Sequence, residues 1–161
     1  MKKILYINEF FTEDLYEKFN SLSLECEYFD TNNAKRSFCT KNLFEINFEL
    51  YKIFLEHIKQ TINIEILECY LHFYKRKNSI FNPHVDGFPL QILIYLDGEI
   101  CNLDNGTFFM HNDQIVLQTS NTPNSAIIFD GTITHGSIQA LSEQENVGWR
   151  YSLNCFISKY K

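Results

Sequence analysis

The sequence contains few residues that interrupt regular structure, since only 3 of its 161 residues are proline and 6 are glycine. It has no internal repeat and no linker rich in proline, glycine or serine, so no boundary between two domains is indicated. The length also suits one domain. We therefore expect a single domain over residues 1–161.

Positive charge is scarce as well, because 14 lysine and arginine residues stand against 20 aspartate and glutamate residues. This balance argues against the broad basic surface of nucleic-acid and anionic-membrane binders, although it leaves room for a local basic groove. No apolar run approaches the roughly 18 residues of a transmembrane helix, and the apolar stretch after Lys2 and Lys3 is too short for a signal peptide. We expect a cytoplasmic protein that does not bind membranes, and the composition disfavours a nucleic-acid partner.

Paired cysteines are absent too, because the five cysteines are odd in number, widely spaced and never form a C-x-x-C motif. These features argue against both a disulfide framework and a zinc ribbon. We expect reduced, mostly buried cysteines at positions 26, 39, 69, 101 and 155.

The coarse pattern divides the chain into a helical part and a β-rich part. Thr12 predicts the start of one helix and Asn42 the start of a second that runs to about Gln60, while residues 3–7 and 24–29 predict strands. From residue 61 onward, short runs rich in isoleucine, tyrosine and phenylalanine are separated by turn residues, which is typical of a sandwich or barrel. We predict an α+β fold, with an N-terminal helical support (1–60) packed on one sheet of a cupin-like jelly roll, or double-stranded β-helix (61–161). The predicted strands are 64–74, 90–96, 106–111, 114–118, 125–129, 135–140 and 149–158.

One predicted strand, 65–74, has two different faces, because side chains alternate along an extended chain. We expect one face to enter the core and the other to line a site. The apolar face carries Leu67, Cys69, Leu71 and Phe73, and the other carries Glu68, Tyr70, His72 and Tyr74.

Three further residues have the chemistry of metal ligands. His84 and Asp86 form an H-x-D motif, and His135 begins a later strand pattern. Residues i and i+2 of an extended chain project to the same side, so the motif can bind one ion while a neighbouring strand supplies His135. Two histidines and a carboxylate with open positions form the facial triad of non-haem Fe(II) oxygenases, and zinc hydrolases use the same ligand types.

Arg150 and Ser152 lie on one face of the apolar terminal strand pattern. A guanidinium beside a hydroxyl suits a carboxylate. Burying one of only three arginines in the chain is costly without an anionic partner, which is either structural or a cosubstrate. Trp149 is expected to face the opposite side.

The order of the motifs H-x-D, His and R-x-S resembles that of the 2-oxoglutarate- and Fe(II)-dependent dioxygenases, especially the prolyl 4-hydroxylase-like branch. Residues 95–97 (YLD) and 105–109 (NGTFF) are similar to that branch's Y-L-N … G-G-x-T-x-F stretch. Residues 123–129, followed by His135-Gly136, are similar to its P-x-x-G-x-x-x-x-F … H-G segment. Asn105 and Ser125 replace glycines that are common there.

The resemblance implies a site for Fe(II) with 2-oxoglutarate and O₂ as cosubstrates. His84, Asp86 and His135 would be the metal ligands and the catalytic centre. The 2-oxoglutarate distal carboxylate would be bound by Arg150 and Ser152, together with a tyrosine from the strand before the H-x-D motif. That tyrosine would be Tyr74, with Tyr70 as the alternative.

The activity implied by this resemblance is hydroxylation of an unactivated C–H bond, with release of succinate and CO₂. The substrate would be an amino acid, a peptidyl residue such as proline, or a small natural product, so the partner would be a small molecule or a peptide. Asp86 favours hydroxylation, because halogenases of the family replace that carboxylate with a small residue.

Two alternatives stay open. One is a nucleic-acid base demethylase of the same superfamily, although the acidic composition and the sequence of residues 150–155 depart from the R-x-N-x-T-x-R signature of that branch. The other is a non-catalytic jelly-roll module that holds zinc or iron, and binding of 2-oxoglutarate would distinguish it from an enzyme.

Other features are less specific. The basic run 75–77 is either solvated or steers an anionic substrate, and residues 30–45 and 75–82 are candidate lids. His72 is either a pocket residue or a hydrogen-bonded interior histidine. His57 and His111 are expected at the surface or as capping residues.

Overall fold

The computed structural model describes residues 3–31, 37–76, 83–98, 106–137 and 148–161. Within these ranges all helices lie before residue 63, and the regular structure after it consists of strands. In chain order the elements are β1 (Ile4–Ile7), α1 (Glu13–Glu25), β2 (Phe29–Asp30), β3 (Ser37–Cys39), α2 (Leu43–Ile46), α3 (Phe48–Ile62), β4 (Ile66–Arg76), β5 (Leu90–Tyr95), β6 (Thr107–His111), β7 (Gln114–Gln118), β8 (Ala126–Phe129), β9 (His135–Ser137) and β10 (Arg150–Tyr160).

The strands form two antiparallel sheets. The larger sheet has seven strands in the order β1-β8-β5-β10-β4-β3-β2, and the smaller has three in the order β7-β6-β9. The predicted combination of N-terminal helices with a mainly antiparallel β-rich remainder is confirmed. None of the described helices is long and apolar enough to cross a membrane.

An asparagine divides the second predicted helix. The Asn42 side chain accepts a hydrogen bond from the Phe44 amide, and the Asn47 side chain accepts one from the Leu50 amide. Asn47 itself has φ −152° and ψ 88°, which is not helical. Because asparagine stabilises helix starts better than helix interiors, it ends α2 and begins α3. The predicted continuous helix is therefore wrong at Asn47.

The strand predicted over residues 24–29 is also wrong. Helix α1 continues to Glu25, and the Cys26 amide still donates to the Leu22 carbonyl at 3.1 Å. Only Phe29 and Asp30 pair with β3. Continued helical hydrogen bonding outweighs the β-preference of this segment. The predicted strand 135–140 is seen as β9 over His135–Ser137, and residues 138–140 lie outside the described residues.

Helices cover one face of the larger sheet. Phe19 of α1 and Phe54 of α3 are fully buried, and their rings pack edge to face with centroids 6.1 Å apart. They belong to one apolar cluster with alternate residues of the central strands β4 and β10, namely Leu71, Phe73, Leu153, Cys155 and Ile157.

The predicted apolar face of β4 is buried at Cys69, Leu71 and Phe73, but Leu67 is 47% exposed. The pairing of β4 with β10 shifts register between Ile157 and Tyr160, next to Leu67. Such a bulge changes the alternation of side chains, so Ile66 is buried in its place. The prediction for Leu67 is wrong for this reason.

The described cysteines form no disulfide. Cys69 and Cys155 are buried, whereas Cys26 and Cys39 are partly buried. All four are free, as expected, and Cys101 lies outside the described residues.

The opposite face of the larger sheet packs partly on the smaller sheet. Phe109 of β6 forms a second apolar cluster with residues of β5 and β8. The rest of this face, on β4 and β10, is polar and borders a cavity. The residues of the second cluster are Leu93, Tyr95, Phe109, Ile127 and Phe129.

Candidate metal centre

Two histidines distant in sequence are joined by a β-bridge. The His84 amide donates to the His135 carbonyl at 3.0 Å, and the His135 amide donates to the His84 carbonyl at 2.9 Å. Their ring centroids are 4.6 Å apart. The fold thus brings the start of β9 beside the loop that carries the H-x-D motif.

The third predicted ligand is held by the turn before β9. The Asp86 amide donates to the Gly131 carbonyl at 3.1 Å. The chain then turns at Gly87, whose φ of +75° is a conformation that glycine adopts without strain. These contacts direct the Asp86 carboxylate toward both histidines.

The side-chain geometry fits a single metal ion. His135 Nε2 lies 3.1 Å from Asp86 Oδ2, and His84 Nε2 lies 3.5 Å from Asp86 Oδ1. One ligand atom from each of the three residues lies within 4.8 Å of the others. Two ligands about 2.1 Å from one ion and at right angles would lie about 3.0 Å apart, close to these separations.

Neighbouring groups orient the ligands. His135 Nδ1 lies 2.9 Å from the carbonyl oxygen of Ile133, which can only accept, so Nδ1 donates and Nε2 keeps its lone pair in the neutral ring. Gln91 Nε2 donates to Asp86 Oδ2 at 2.7 Å. Contacts of this kind fix the orientation and tautomer of metal ligands.

The electrostatics of the site favour an anionic Asp86. Burial raises the pKa of its carboxyl, but interactions with the side chains of His135, Gln91 and His84 outweigh burial and hold the pKa below its usual value. An anionic carboxylate with two imidazoles suits a divalent transition metal. The side chain of His84 is 40% exposed and that of His135 only 9%, so the site is open to solvent on the His84 side.

The triad borders a cavity of about 450 Å³. Its walls come from both sheets, and its polar floor comes from β4 and β10. The lining residues are Thr31, Ser37, Tyr74, Arg76, His84, Asp86, Gln91, Leu93, Thr107, Phe129, His135, Gly136, Asn154 and Phe156.

Tyr74 lies where the sequence predicted it, in the cavity with the triad. Burial above all, together with Cys39 and Asp86, raises the pKa of its phenol to about 12, although Arg76 partly opposes the shift. Tyr74 is therefore a neutral hydrogen-bond donor at physiological pH. The alternative, Tyr70, is 48% exposed, packs on Phe88 and does not line the cavity.

Arg150 and Ser152 lie on the same side of β10 as Asn154, which lines the cavity. Both are buried, and neither is among the lining residues. Arg150 Nη1 donates to the Gly106 carbonyl at 3.4 Å, and Ser152 Oγ donates to Asn154 Oδ1 at 2.8 Å. Both therefore lie on the cavity side of β10 without lining the cavity.

The basic run 75–77 does not act as one cluster. Lys75 faces away from the cavity, with its ammonium nitrogen 4.6 to 5.4 Å from the ring centroids of Tyr28, Phe38 and Trp149. Arg76 lines the cavity instead, and residue 77 lies outside the described residues. Sequence reasoning did not single out Arg76, although it shares the parity of Tyr74.

The other histidines have structural partners or are exposed. His72 Nδ1 lies 2.9 Å from the Thr40 carbonyl, so it is an interior histidine rather than a lining residue. His57 Nε2 lies 2.8 Å from the Phe10 carbonyl, and His111 is exposed at the end of β6.

No family model matches this sequence, and no curated protein matches it significantly. Solved structures do resemble the fold. A prolyl 4-hydroxylase from Pseudomonas putida is 14% identical with a TM-score of 0.65, and the alignment covers 99% of this chain and 94% of that one. HygX from Streptomyces hygroscopicus, with nickel and 2-oxoglutarate bound, is 10% identical with a TM-score of 0.69 over 98% and 84% of the two chains.

A third similar structure is a prolyl hydroxylase from Trichoplax adhaerens in complex with a peptide fragment of the hypoxia inducible factor oxygen degradation domain. It is 12% identical with a TM-score of 0.70, over 96% of this chain and 83% of that one. The chain therefore has the fold of the 2-oxoglutarate/Fe(II) oxygenases. The resemblance inferred from the sequence motifs is confirmed as a resemblance of fold.

Proposed function

We propose that this protein is a 2-oxoglutarate- and Fe(II)-dependent dioxygenase that hydroxylates an unactivated C–H bond and releases succinate and CO₂. The observation that carries the proposal is the convergence of His84, Asp86 and His135 at one cavity. The guanidinium group of Arg76 lines the same cavity. In this proposal the two antiparallel sheets are the walls of a jelly roll that encloses the cavity.

The metal ligands fit the proposed iron site. Asp86 supplies the anionic ligand, and His135 supplies Nε2 because its Nδ1 is engaged by a carbonyl. Fe(II) with bound 2-oxoglutarate would supply the oxidising chemistry by activating O₂. The protein's part is to leave ligand positions open, to orient the cosubstrate and to separate the site from bulk water.

Tyr74, Arg150 and Ser152 are proposed to bind 2-oxoglutarate. Tyr74 donates a hydrogen bond from its neutral phenol. The buried guanidinium of Arg150 supplies positive charge on the cavity side of β10, and Ser152 orients Asn154, which lines the cavity. A guanidinium on the same side of the sheet as a metal site suits a ligand that carries more than one carboxylate.

The substrate class is proposed as an amino acid, a peptidyl residue or a small natural product. Proteins with this fold include one with a bound peptide fragment and one, HygX, with bound hygromycin B. A cavity of about 450 Å³ that opens beside His84 can hold 2-oxoglutarate and admit part of a second molecule.

The test is anaerobic titration of 2-oxoglutarate into the Fe(II)-loaded protein, with detection of the visible metal-to-ligand charge-transfer band. The expected result is a saturable band in the wild type and its loss in His135→Ala. The matched control is His111→Ala, at an exposed histidine outside the cavity, which should keep the band. An iron-loaded wild type without the band would contradict the proposal and favour a non-catalytic metal module.

A further inference from the structure

Three aromatic side chains, which we call the aromatic wall, lie together beside the metal centre: Tyr70, Phe88 and Phe156. The ring centroid of Phe88 lies 5.3 Å from that of Phe156 and 6.2 Å from that of Tyr70. Tyr70 lies directly opposite Phe156 in the pairing of β4 with β10. Because directly opposed residues of two strands project to the same face and Phe156 lines the cavity, the wall lies on the cavity side of the larger sheet.

The aromatic wall extends from the cavity to the surface. At its inner end Phe156 lines the cavity, and its ring centroid lies 6.3 Å from that of Tyr74. At its outer end Tyr70 is 48% exposed and does not line the cavity. Phe88 contacts both and is partly buried. A row of rings therefore connects solvent with the interior of the cavity.

Two connections bring the aromatic wall close to the metal ligands. Phe88 follows Asp86 by two residues, so their Cα atoms lie within about 7 Å of each other. Phe156 pairs with Gln91 of β5, and the Gln91 amide donates to Asp86 Oδ2 at 2.7 Å. A group that rests on the wall would therefore lie within about one side-chain length of the metal centre.

The folding core does not account for the aromatic wall. Its three residues belong to neither of the two apolar clusters among the described residues. An exposed apolar surface that continues into a cavity with a few polar groups is typical of a ligand-binding site. Binding of a ligand therefore explains the position of these rings better than packing of the fold.

We propose that the aromatic wall binds an uncharged, ring-bearing group of the substrate that is hydroxylated and holds it beside the metal centre. The inference rests on the proposed function and narrows the substrate class to molecules with an aryl or other apolar ring. The faces of aromatic rings carry partial negative charge, which disfavours an anion, and a divalent metal at the triad disfavours a cation. Edge-to-face and offset-stacked contacts with a ring give both affinity and orientation.

The test uses three probes with a common backbone, the N-acetyl amides of phenylalanine, alanine and lysine. Each is titrated into Mn(II)-loaded protein, and NMR measures the proton relaxation rates of the probe, with Zn(II)-loaded protein as the diamagnetic reference. Enhanced relaxation of the phenyl protons reports binding near the metal. The wild type is expected to bind the phenylalanine probe about fivefold or more tightly than the other two, since partial burial of a phenyl ring contributes at this level.

Variants locate the bound ring. Tyr70→Ala removes the exposed ring of the wall and should weaken binding of the phenylalanine probe by about three- to tenfold, as expected for loss of one ring contact. Phe156→Ala should weaken it as much or more. Tyr160→Ala is the matched control, because it removes another exposed tyrosine, at the end of β10, and should leave the dissociation constant within about twofold. If Phe156→Ala does not fold by circular dichroism, Tyr70→Ala decides.

The outcomes separate this inference from the proposed function. If the iron-loaded wild type shows the 2-oxoglutarate charge-transfer band but Tyr70→Ala binds the phenylalanine probe like the wild type, only the assignment of the aromatic wall is wrong. A lysine or alanine probe that binds as tightly as the phenylalanine probe also overturns the inference. If the band is absent, the proposed function fails, and the wall loses its role as a substrate subsite.

Discussion

The two faces of the larger sheet differ in what they contribute, and the difference appears within single strands. On β4 and β10, Phe73 and Leu153 face the helices and are fully buried, whereas their neighbours Tyr74 and Asn154 line the cavity. The helix-covered face is apolar and contains Phe19, Phe54 and the alternate residues of both strands. Burial of such side chains is the main favourable term in folding.

The cavity face has the opposite composition. Its guanidinium, carboxylate and imidazole groups cost free energy when buried, unless hydrogen bonds, ion pairs or a bound ligand compensate them. The fold tolerates this cost because the apolar face of the same strands supplies the stability. We therefore expect substitutions on the helix face to change stability, and substitutions on the cavity face to change binding.

The largest expected effect is on the helix face, with Phe54→Ala. Phe54 is fully buried against Phe11 and Phe19, so its truncation leaves a cavity and should lower the free energy of unfolding by about 3–5 kcal/mol. Urea denaturation measures the change. Phe44→Ala, at a residue that is 52% exposed, is the control and should cost less than about 1 kcal/mol. Equal losses of unfolding free energy in both variants would contradict the place of Phe54 in the stabilising core of the helix-covered face.

Asp86→Asn tests the cavity face. The substitution keeps the size of the side chain but removes the negative charge from the triad, so affinity for Mn(II) should fall by more than about 100-fold. The metal-free free energy of unfolding should change by less than about 1 kcal/mol. Calorimetric titration and urea denaturation measure the two quantities.

The control for this variant is Asp113→Asn in the turn after β6, where φ is +61° and asparagine is well tolerated. It should bind Mn(II) like the wild type. A metal affinity for Asp86→Asn equal to that of the wild type would remove Asp86 from the site.

The alternation of side chains along an extended chain explains which site residues could be predicted from the sequence. His84 and Asp86 are two residues apart, so an extended chain predicts that they share a side. The structure places both in the loop between β4 and β5, where contacts with His135 and Gly131 hold them. The position of His135 followed from the order of motifs, and the structure places it beside them through a β-bridge. The parity of β4 placed Tyr74 correctly because strand pairing is regular there.

The predictions from sequence are wrong where strand pairing or helix capping decides the local structure. Leu67 is exposed because β10 shifts register beside it, and no local pattern in β4 reveals that shift. The interruption at Asn47 depends on a side-chain cap that competes with helix continuation. Arg76 was assigned to a polar turn, whereas β4 continues through it and directs it into the cavity. Its position depends on pairing with β3 and β10, which composition does not indicate.

A smaller effect is expected for Gln91→Leu. Gln91 is buried, and its amide donates to Asp86 Oδ2, so leucine removes a contact that orients a metal ligand without removing the ligand. Affinity for Mn(II) should fall by about 10- to 100-fold. Gln118→Leu on the exposed strand β7 is the control and should leave metal affinity unchanged. If Gln91→Leu binds Mn(II) as tightly as the wild type, the contact from Gln91 does not contribute to metal binding.

The smallest expected effect concerns Tyr74 and alkaline pH. The phenol has a pKa of about 12 in the folded protein, against the ordinary value of 10.0. As pH rises above 10, the unfolded chain loses this proton while the folded protein keeps it, so deprotonation favours unfolding. The stability that neutral Tyr74 contributes is therefore complete below pH 10 and is lost between pH 10 and 12.

Urea denaturation of the wild type and Tyr74→Phe at pH 9 and pH 11 measures this difference. The stability advantage of the wild type over the variant should shrink by roughly 1 kcal/mol between the two pH values. Tyr70→Phe, at an exposed tyrosine of the same strand, is the matched control for general alkaline effects. If the stability advantage of the wild type is the same at both pH values, the Tyr74 phenol is as accessible to solvent as a surface tyrosine. The cavity face would then be more solvated than the burial of its residues indicates.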